Sequence, residues 1–507
     1  MRTLMIILTS ITLTQAQSFL DSIPALPPPS GIIVNVATAA ELNQAIIDAQ
    51  DGQTILVADG TYEMKPYVPL NINAPNVTVR GASDDATKAI IRGNGFKDSL
   101  KIDLFRIYSH STVLAYITIE DVRSYGMMLR TGNNDNMLLH GCRFIDCNKR
   151  CLKAPGYVTG PTEPVPESHN GIIRYCLFEQ KTPISLDIPN LDLPGDVGNY
   201  VAGMDMMRLE GWQIHHNVFL NFKGITGGGR AAIFMWGGAQ GGCRNIIIED
   251  NVFVGNDRSI ALGNPSGIFD AESIVVRNNF INAGFDYGLE LCFCKDVKVY
   301  NNTFYTSNPT RRMVHAYQIM TGNILKNNII VGPFVCEIGT LPDTTGNISV
   351  QSNISSWFED PVNGDFHLKA TATQAINTGV ALPEVLDDFD NLPRDASPDM
   401  GADEYGNETT QVAELPQGSR DQMVLQAYPN PFNASTRIEF SNQAQTIRGN
   451  IQIMDMVGRV VDHMTIPGSR SAVAVIEWNA QTRPSGIYII KMHTENRVFT
   501  KHIVLIR

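Results

Sequence analysis

The sequence is poor in charge, and it lacks both long apolar runs and clusters of basic residues. Only 18% of the 507 residues are charged while 43% are hydrophobic, which excludes a disordered chain and allows a large core. Beyond the N-terminus, no apolar segment approaches the length that spans a membrane. Lys and Arg form no run and the net charge is -12, so we expect no nucleic-acid partner.

The eight cysteines match neither a compact disulfide framework nor a zinc site. A chain of this length does not depend on disulfides for its core, although an oxidising compartment would permit them. Cys292 and Cys294 are alternate residues of a predicted strand, and no His or further Cys pair completes a zinc ligand set. We therefore expect structural cysteines.

The N-terminus has the features of a secretory signal peptide. Residues 1–16, MRTLMIILTSITLTQA, contain a basic residue, a short apolar run and the small residue Ala16 at the expected cleavage point. A buried N-terminal strand is the alternative. The Pro-rich residues 17–32 are expected to form an extended lead into the folded region. The sequence thus predicts an exported protein, secreted or held at a bacterial cell surface.

The sequence is rich in one repeated phrase, in which alternating apolar residues precede an Asn and an aromatic often follows two positions later. IHHNVF, IEDNVF and VYNNTF are examples. Such self-similarity, with strand-like alternation and no helical period, predicts a solenoid of β-coils. The phrase recurs around Cys142, Cys176, Asn217, Asn251, Asn279, Asn302, Asn328 and, more weakly, Asn353.

Asparagine suits a corner that is repeated in every coil. It tolerates a left-handed backbone, and its amide can bond to the same amide in the coils above and below, about 4.8 Å away. The aromatic two residues later is expected to point inward and stack on its counterparts. Cys142 and Cys176 occupy the Asn position in early coils, so we predict that they belong to this interior stack.

These phrases resemble the right-handed parallel β-helix proteins, including polysaccharide lyase-like solenoids, over residues 33–405. The stretch TAAELNQAIIDAQDGQTILVADGTYE is similar to the opening of such proteins, which implies a cap helix at about 39–51. DFHLKATATQAINTGV through DMGADEY is similar to a terminal coil, which implies a C-terminal cap at 341–405. The resemblance implies a fold and a compartment, and no particular reaction.

A second domain is expected after a polar, aperiodic linker at 406–422. Residues 423–507 alternate in short strands, which predicts a small antiparallel Ig-like β-sandwich after the solenoid, in an all-β chain. YPNPFNASTRIEF, MVGR, PSGIY and the strand with Lys501 resemble the C-terminal sorting domain of the bacterial type IX secretion system. That machinery is therefore an expected partner, while a carbohydrate-binding or spacer module is the alternative.

The interior of a β-helix is filled, so function is expected on an outer face beside long loops. The longest repeat steps surround residues 152–230 and leave APGYVTGPTEPVPESHNG and DIPNLDLPGDVGNYVAGMD as candidate walls. One strand per coil is predicted to align cations, carboxylates and aromatic rings, a set that suits a sugar chain. The predicted row consists of Arg130, Lys153, Asp187, Phe234, Trp236 and Glu290.

Two reactions fit such a row. In β-elimination, Arg or a metal neutralises a uronate carboxylate and a basic side chain removes a proton, whereas in hydrolysis two carboxylates flank the bond. The catalytic candidates are Arg130, Lys153, Asp187, Arg230 and Glu290. The substrate-binding candidates are Trp236, Phe234, Lys223, Arg258 and His215.

Calcium is the one cofactor that the sequence suggests. The carboxylates available as ligands are Asp187, Asp192, Asp196 and Asp205, although aspartates in loops also form turns without a metal. The predicted function is lyase-type cleavage of an acidic polysaccharide in an outer groove. A non-catalytic glycan-binding surface protein and a glycoside hydrolase stay open as alternatives.

Overall fold

The computed structural model divides the chain into two compact units, Met1–Glu408 and Thr409–Arg507. It describes residues 19–20, 23–29, 31–130, 134–154, 167–189, 191, 198–237, 241–264, 269–306, 312–337, 343–352, 354–406, 423–428, 432, 434–442, 447–455, 459–469, 473–484, 486–493 and 498–505. The predicted signal peptide, most of the predicted linker, Asp192, Asp196 and Asn353 lie outside these residues.

The first unit consists almost entirely of short strands. Its N-terminal part contains β1 (Ile33–Val36), α1 (Ala39–Ile47), β2 (Thr54–Val57), β3 (Gly60–Glu63), β4 (Leu70–Ile72), β5 (Thr78–Gly81), β6 (Ala89–Arg92), β7 (Phe105–Ile107), β8 (Val113–Ala115), β9 (Thr118–Val122), β10 (Tyr125–Leu129), β11 (Leu138–His140), β12 (Arg143–Cys147) and β13 (Arg150–Lys153). Its central part contains β14 (Ser168–His169), β15 (Ile172–Arg174), β16 (Leu177–Glu179), β17 (Ala202–Met207), β18 (Leu209–Glu210), β19 (Gln213–His215), β20 (Val218–Leu220), β21 (Ala231–Trp236), β22 (Cys243–Arg244), β23 (Ile247–Glu249), β24 (Val252–Val254) and β25 (Arg258–Leu262). Its C-terminal part contains β26 (Ala271–Glu272), β27 (Val275–Arg277), β28 (Phe280–Asn282), β29 (Tyr287–Lys295), β30 (Lys298–Tyr300), β31 (Thr303–Tyr305), β32 (Arg312–Thr321), β33 (Ile324–Lys326), β34 (Ile329–Val331), β35 (Phe334–Cys336), β36 (Ile348–Val350), a 3₁₀ turn (Ser355–Trp357), β37 (Phe358–Asp360) and β38 (Asp365–Leu368).

Parallel pairing stacks these strands in three long sheets. Sheet I has the order β1-β2-β5-β8-β11-β15-β19-β23-β27-β30-β33, and sheet II the order β3-β6-β9-β12-β16-β20-β24-β28-β31-β34-β36. Sheet III has the order β14-β18-β22-β26-β29-β25-β21-β17-β13-β10-β7-β4, and β32 pairs with β29 and β35. Successive strands such as β23, β24 and β25 belong to sheets I, II and III, so each coil passes through all three sheets. This is the predicted parallel β-helix.

The repeated Asn forms the corner between sheets I and II. Each Asn amide donates to the side-chain oxygen of the next Asn, at 2.8–3.0 Å, along the series Asn217, Asn251, Asn279, Asn302, Asn328 and Asn347. The left-handed residue is the one before the stacked Asn, for example His216 (φ 55°) and Asp250 (φ 54°). The stack is confirmed and continues from Asn328 to Asn347, nineteen positions later; the predicted Asn353 lies outside the described residues.

The aromatic residues two positions after the corner stack inside the solenoid. Phe144, Phe178, Phe219 and Phe253 are fully buried, with ring centroids 4.9–5.0 Å apart and rings within 15° of parallel. Cys142 and Cys176 lie in the same interior, where their thiols donate to backbone carbonyls. All eight cysteines, each within the described part of the chain, are free thiols.

Helix α1 covers the start of the solenoid. Thr38 and Glu41 form a reciprocal capping box, and the buried Leu42, Ala45 and Ile46 face β1, β2 and β4. The helix ends at Ile47, before the predicted 51, since the backbone turns through Gly52 (φ 75°) into β2.

The segment predicted as a C-terminal cap coil, residues 341–405, instead lies mainly along sheet II. Residues 343–350 still extend the solenoid, through a parallel bridge between Ile324 and Asp343 and through β36. The described residues after β36 pack their apolar side chains on outward-facing residues of sheet II such as Val218, Val252 and Phe280. Asn278 donates to the Asp387 carbonyl at 2.8 Å, so the segment reaches well back along the coils. The cause is that these strands are apolar on both faces, and the outer face must be covered.

The second unit is the predicted small antiparallel sandwich. Its strands are β39 (Met423–Tyr428), β40 (Ser435–Asn442), β41 (Ile447–Asp455), β42 (Val460–Ser469), β43 (Val473–Asn479), β44 (Gly486–His493) and β45 (Val498–Leu505). They form two sheets, ordered β39-β40-β43 and β42-β41-β44-β45. Trp478 and Ile438 of the first sheet share one core with Ile453 and Tyr488 of the second. Among the described residues of both units, no helix is long and apolar enough to cross a membrane.

Candidate functional site

One register position of sheet III collects the polar side chains that the sequence pointed to. Strand pairing aligns Lys153, Asp205, Phe234, Ala261, Glu290 and His315, a set that we call the outer row. The residues just before them, including Leu152, Met204 and Leu289, are fully buried in the solenoid core. Because side chains alternate along a strand, the outer row faces away from that core.

Asp205 binds three donors at one end of the row. Its Oδ2 accepts from Lys153 Nζ at 2.8 Å and from Arg150 Nε at 3.0 Å, and its Oδ1 accepts from Trp236 Nε1 at 2.9 Å. Lys153 Nζ also lies 5.7 Å from the centre of the Trp236 ring, a cation–π distance. We call Arg150, Lys153, Asp205 and Trp236 the Asp205 cluster.

Electrostatics keep Asp205 ionised although it is only 1% exposed. Burial by itself would raise the pKa of this carboxyl group, but Lys153 and Arg150 outweigh it and lower the pKa to about 2 from the ordinary 3.8. A carboxylate that stays charged at any pH well above 2 holds both cations in fixed positions.

The lowered pKa of Asp205 predicts how stability depends on pH. Its contribution to the free energy of unfolding is present above about pH 4 and is lost as pH falls through about 2, a loss of about 2 kcal/mol. Urea unfolding at pH 6, 4 and 3 should therefore show a steeper decline for the wild type than for Asp205→Asn. Parallel declines in both proteins would contradict the assigned charge network.

Arg150 extends the Asp205 cluster towards two tyrosines. Its guanidinium carbon lies 3.8 Å from the centre of the Tyr200 ring, and Lys149 Nζ lies within 6 Å of the rings of Tyr125 and Tyr200. Burial, and then the neighbouring Tyr200, raise the pKa of the Tyr125 hydroxyl. One terminal nitrogen of Arg150, Nη2, is buried and has no hydrogen-bond partner among the described residues.

A second cluster surrounds Glu290, three strands further along the row. Its Oε2 accepts from Arg258 Nη1 at 3.1 Å and its Oε1 from the Tyr317 hydroxyl at 2.8 Å. Arg258 also binds Asp286 at 2.9 Å and lies over the ring of Tyr287. Burial is the largest single effect and by itself would lower the pKa of Arg258. The charges of Glu290 and Asp286 outweigh burial, so the pKa of Arg258 is raised. Glu290 is thus paired with a permanent cation.

The end of the row adds an imidazole and a further guanidinium. His315 stacks on Tyr317 with ring centroids 4.6 Å apart, and its Nε2 lies 2.9 Å from Glu337. Arg312 binds the same Glu337 at 3.1 Å and keeps almost half of its side chain exposed. The ring of Phe234 lies nearly parallel to that of Trp236 in the Asp205 cluster, with ring centroids 5.8 Å apart. Both rings pack with the small side chains of Ala231 and Ala261.

Two of the residues predicted for the row occupy other positions. Asp187 lies in an exposed turn and pairs with Lys97 at 2.7 Å, because the strand of that coil is β17 and not the segment SLD; Asp205 takes its place. Arg130 follows β10, two residues beyond Met128, which is the neighbour of Lys153 in the pairing. It shares the next outward position and contacts the Met128 sulfur at 3.3 Å.

The remaining predicted residues divide between the site and other faces. Arg258 belongs to the Glu290 cluster, and Arg230 directly precedes β21. Lys223 is exposed in the turn before β21, beside Asp257 and Phe285. His215 lies on β19 of sheet I, where it contacts His216 at 2.9 Å, so it belongs to a different face from the outer row.

The predicted calcium ligands do not converge in the described residues. Asp187 is bound to Lys97, while both oxygens of Asp205 are bound to side-chain donors, two of them cationic. Another ligand set, Glu167, His169 and Glu210, lies at the edge of sheet III, but Arg244 bonds to both glutamates. The guanidinium already supplies the positive charge that a metal would bring.

Several residues of the site escaped the sequence analysis. Arg150 and Tyr317 directly adjoin the core residues Cys151 and Ala316, so alternation along the strand could have marked both as outward-facing. Asp205 was predicted as a calcium ligand but not as a member of the row: AGMDMM alternates, but the long insertion before it hid its position in the coil. The other missed residues are Asp286, Tyr287, Arg312, His315 and Glu337.

These features define a class of protein: an exported parallel β-helix with a polar outer face and a sorting domain. Comparison with known proteins supports this class. The family of secretion system C-terminal sorting domains matches residues 426–506, which confirms the predicted type IX sorting domain. The family of the periplasmic copper-binding protein NosD, a β-helix family, matches residues 198–355. The protein is therefore directed to the cell surface or the extracellular space, and the secretion machinery is its partner.

Solved structures with a similar fold include enzymes that cleave polysaccharides. The chain is similar to pectate lyase Pel9A, with 14% identity and a TM-score of 0.50 over 74% of this chain and 97% of that one. It also matches an alginate lyase from Paenibacillus sp. str. FPU-7, with 13% identity and a TM-score of 0.41 over 64% and 99%. No curated protein matches the chain. At these identities, the likeness shows the fold alone.

Proposed function

We propose that the protein cleaves an acidic polysaccharide by β-elimination on the outer face of sheet III. The observation that carries the proposal is the Asp205 cluster, in which a lysine amine and a guanidinium are fixed on one carboxylate beside an indole ring. Cations suit the carboxylates of uronate sugars, and Trp236, which is half-buried, offers a face on which a sugar ring stacks. The fold likeness to pectate lyase Pel9A supports the same class of substrate.

In this scheme, each residue of the cluster has one role. Lys153, the less buried of the two basic residues, is the general base that removes the C5 proton of a uronate. The electrons of that bond form a C4–C5 double bond, the glycosidic C4–O bond breaks, and the leaving oxygen takes a proton from water. The positive charge of Arg150, buried beside Asp205, acts through space on the sugar carboxylate and makes the C5 proton more acidic. Asp205 positions both side chains.

The spacing of the two carboxylates in the outer row argues against hydrolysis by this pair. Asp205 and Glu290 lie on strands three positions apart, which corresponds to about 14 Å at the spacing of paired strands. Glycoside hydrolysis needs two carboxyl groups roughly 5 to 9.5 Å apart, with one of them free to act as an acid. Asp205 stays ionised and is bonded on both oxygens, so it suits a positioning role.

A lyase assay on the purified full chain tests the proposal. Polygalacturonate, alginate and a neutral glucan are incubated with and without Ca²⁺, and ultraviolet absorbance reports the unsaturated ends while a reducing-sugar assay reports all cleavage. We expect absorbance to rise with one polyuronate, and Lys153→Ala to lower the rate by about 10²–10⁴-fold, the usual effect of losing a general base.

Lys295→Ala is the matched control, because Lys295 is an exposed, ion-paired lysine elsewhere on sheet III. It should retain full activity. Reducing ends without absorbance would replace elimination by hydrolysis. Binding of a polyuronate without any cleavage would favour a glycan-binding surface protein, a reading that the closed ion pairs of Asp205 also support.

A further inference from the structure

A cluster of metal-ligand side chains lies in the segment that covers sheet II, outside the outer row. His367 is on β38, and Asp390 and Asp403 follow in the same covering segment. One ligand atom from each of the three lies within 4.8 Å of the other two. The His367 ring also packs edge-on against Phe280 of sheet II, with centroids 5.1 Å apart. The cluster therefore lies where the segment meets the solenoid.

The geometry of His367 matches that of a metal-binding imidazole. Its Nε2 lies 3.0 Å from Asp390 Oδ2, close to the separation of about 3.0–3.4 Å between two ligands that each lie about 2.1 Å from a metal. Its other nitrogen, Nδ1, lies 2.6 Å from Asp365 Oδ1. A carboxylate bonded to the far nitrogen fixes the tautomer and the ring orientation of a ligating histidine.

Buried negative charge around His367 is the second, independent observation. Asp403 is 5% exposed and Asp388 is 1% exposed, and Asp388 Oδ2 has no hydrogen-bond partner among the described residues. Arg394, the guanidinium near these carboxylates, is already paired with Glu404 at 3.0 Å. The site therefore has room in its charge balance for a dication.

We propose that His367, Asp390 and Asp403 bind a divalent transition-metal ion such as Zn²⁺, which fastens the covering segment to sheet II. Asp365 is a positioning residue for the imidazole. One nitrogen and two carboxylates suit Zn²⁺ or Mn²⁺ better than Ca²⁺, which takes six to eight oxygen ligands. The edge set of Glu167, His169 and Glu210 differs in this respect, since Arg244 occupies it.

Titration of the chelator-treated full chain with ZnCl₂, MnCl₂ and CaCl₂, followed by calorimetry and thermal unfolding, tests the site. We expect one Zn²⁺ site, a rise in Tm of several degrees, and weaker or absent Ca²⁺ binding. His367→Gln should abolish Zn²⁺ binding, and Asp365→Asn should weaken it 10- to 100-fold. Glu210→Gln, in the set occupied by Arg244, is the matched control and should bind Zn²⁺ as the wild type does.

Each other outcome overturns the proposal. If no ion binds the wild type, His367 is an imidazolium held between Asp365 and Asp390 instead of a ligand. If His367→Gln binds Zn²⁺ normally, or if only Glu210→Gln loses it, the ion is held elsewhere. If His367→Gln does not fold, Asp390→Asn replaces it in the experiment, because Asp390 is exposed. Unchanged Zn²⁺ affinity in Asp390→Asn would also contradict the proposed site.

Discussion

Asp205→Ala should destabilise the protein by about 3–5 kcal/mol, the usual effect of removing one partner from a buried ion pair. The reason is that Arg150 is fully buried and Lys153 almost so, and both would lose their counterion. Trp236 would lose the acceptor of its indole N–H in addition. Urea unfolding of the purified chain, followed by circular dichroism, measures the change.

Asp187→Ala is the matched control for this experiment. It removes the aspartate of another lysine–aspartate pair, but Asp187 and Lys97 are solvent-exposed, so little change in stability is expected. A further variant that combines Arg150→Met, Lys153→Met and Asp205→Leu removes all three charges and should recover much of the stability. If Asp205→Ala unfolds at the wild-type urea concentration, the Asp205 cluster does not carry the charge balance described above.

Asn279→Ala should produce a comparable loss, at least about 3 kcal/mol, because one amide satisfies several buried groups at once. Its Nδ2 donates to the carbonyls of Ile248 and Arg277 and to Asn302 Oδ1. Its Oδ1 accepts from both the backbone and the side chain of Asn251. Alanine would leave these partners unpaired in a position from which water is excluded.

Gln213→Ala provides the comparison, since Gln213 is a half-buried polar residue on the outer face of sheet I. Its removal should change the free energy of unfolding by less than about 1 kcal/mol. Chemical denaturation of both variants, followed by circular dichroism, measures whether the Asn stack stabilises the corner. If Asn279→Ala and Gln213→Ala change the free energy of unfolding equally, the stack does not stabilise it.

The sequence predicted the solenoid because the repeat is itself a structural constraint. Coils stacked at a fixed spacing place residues at equivalent positions above one another. The recurrence of Asn217, Asn251 and Asn279 at one such position is therefore enough to predict the corner. Phe219 and Phe253, two residues later, follow by the same argument. The covering of sheet II was also visible in principle, since VFL and VFV are apolar on both faces and such strands are buried on both sides.

The candidate site depended on pairing that no local pattern contains. SLD and AGMDMM both alternate, and only the neighbour of Lys153 in the sheet shows that Asp205, and not Asp187, completes the row. Arg150, Lys153 and Trp236 all bond to Asp205 across two strand spacings, and His367 meets Asp390 and Asp403 through the fold of the covering segment. The sequence by itself determined the repeat, the corner and the export signals. The repeat and the corner follow from a residue pattern that recurs at regular intervals, and the export signals from contiguous motifs. Which charged groups become neighbours was decided by tertiary structure, because long insertions between strands leave the register free until the sheets form.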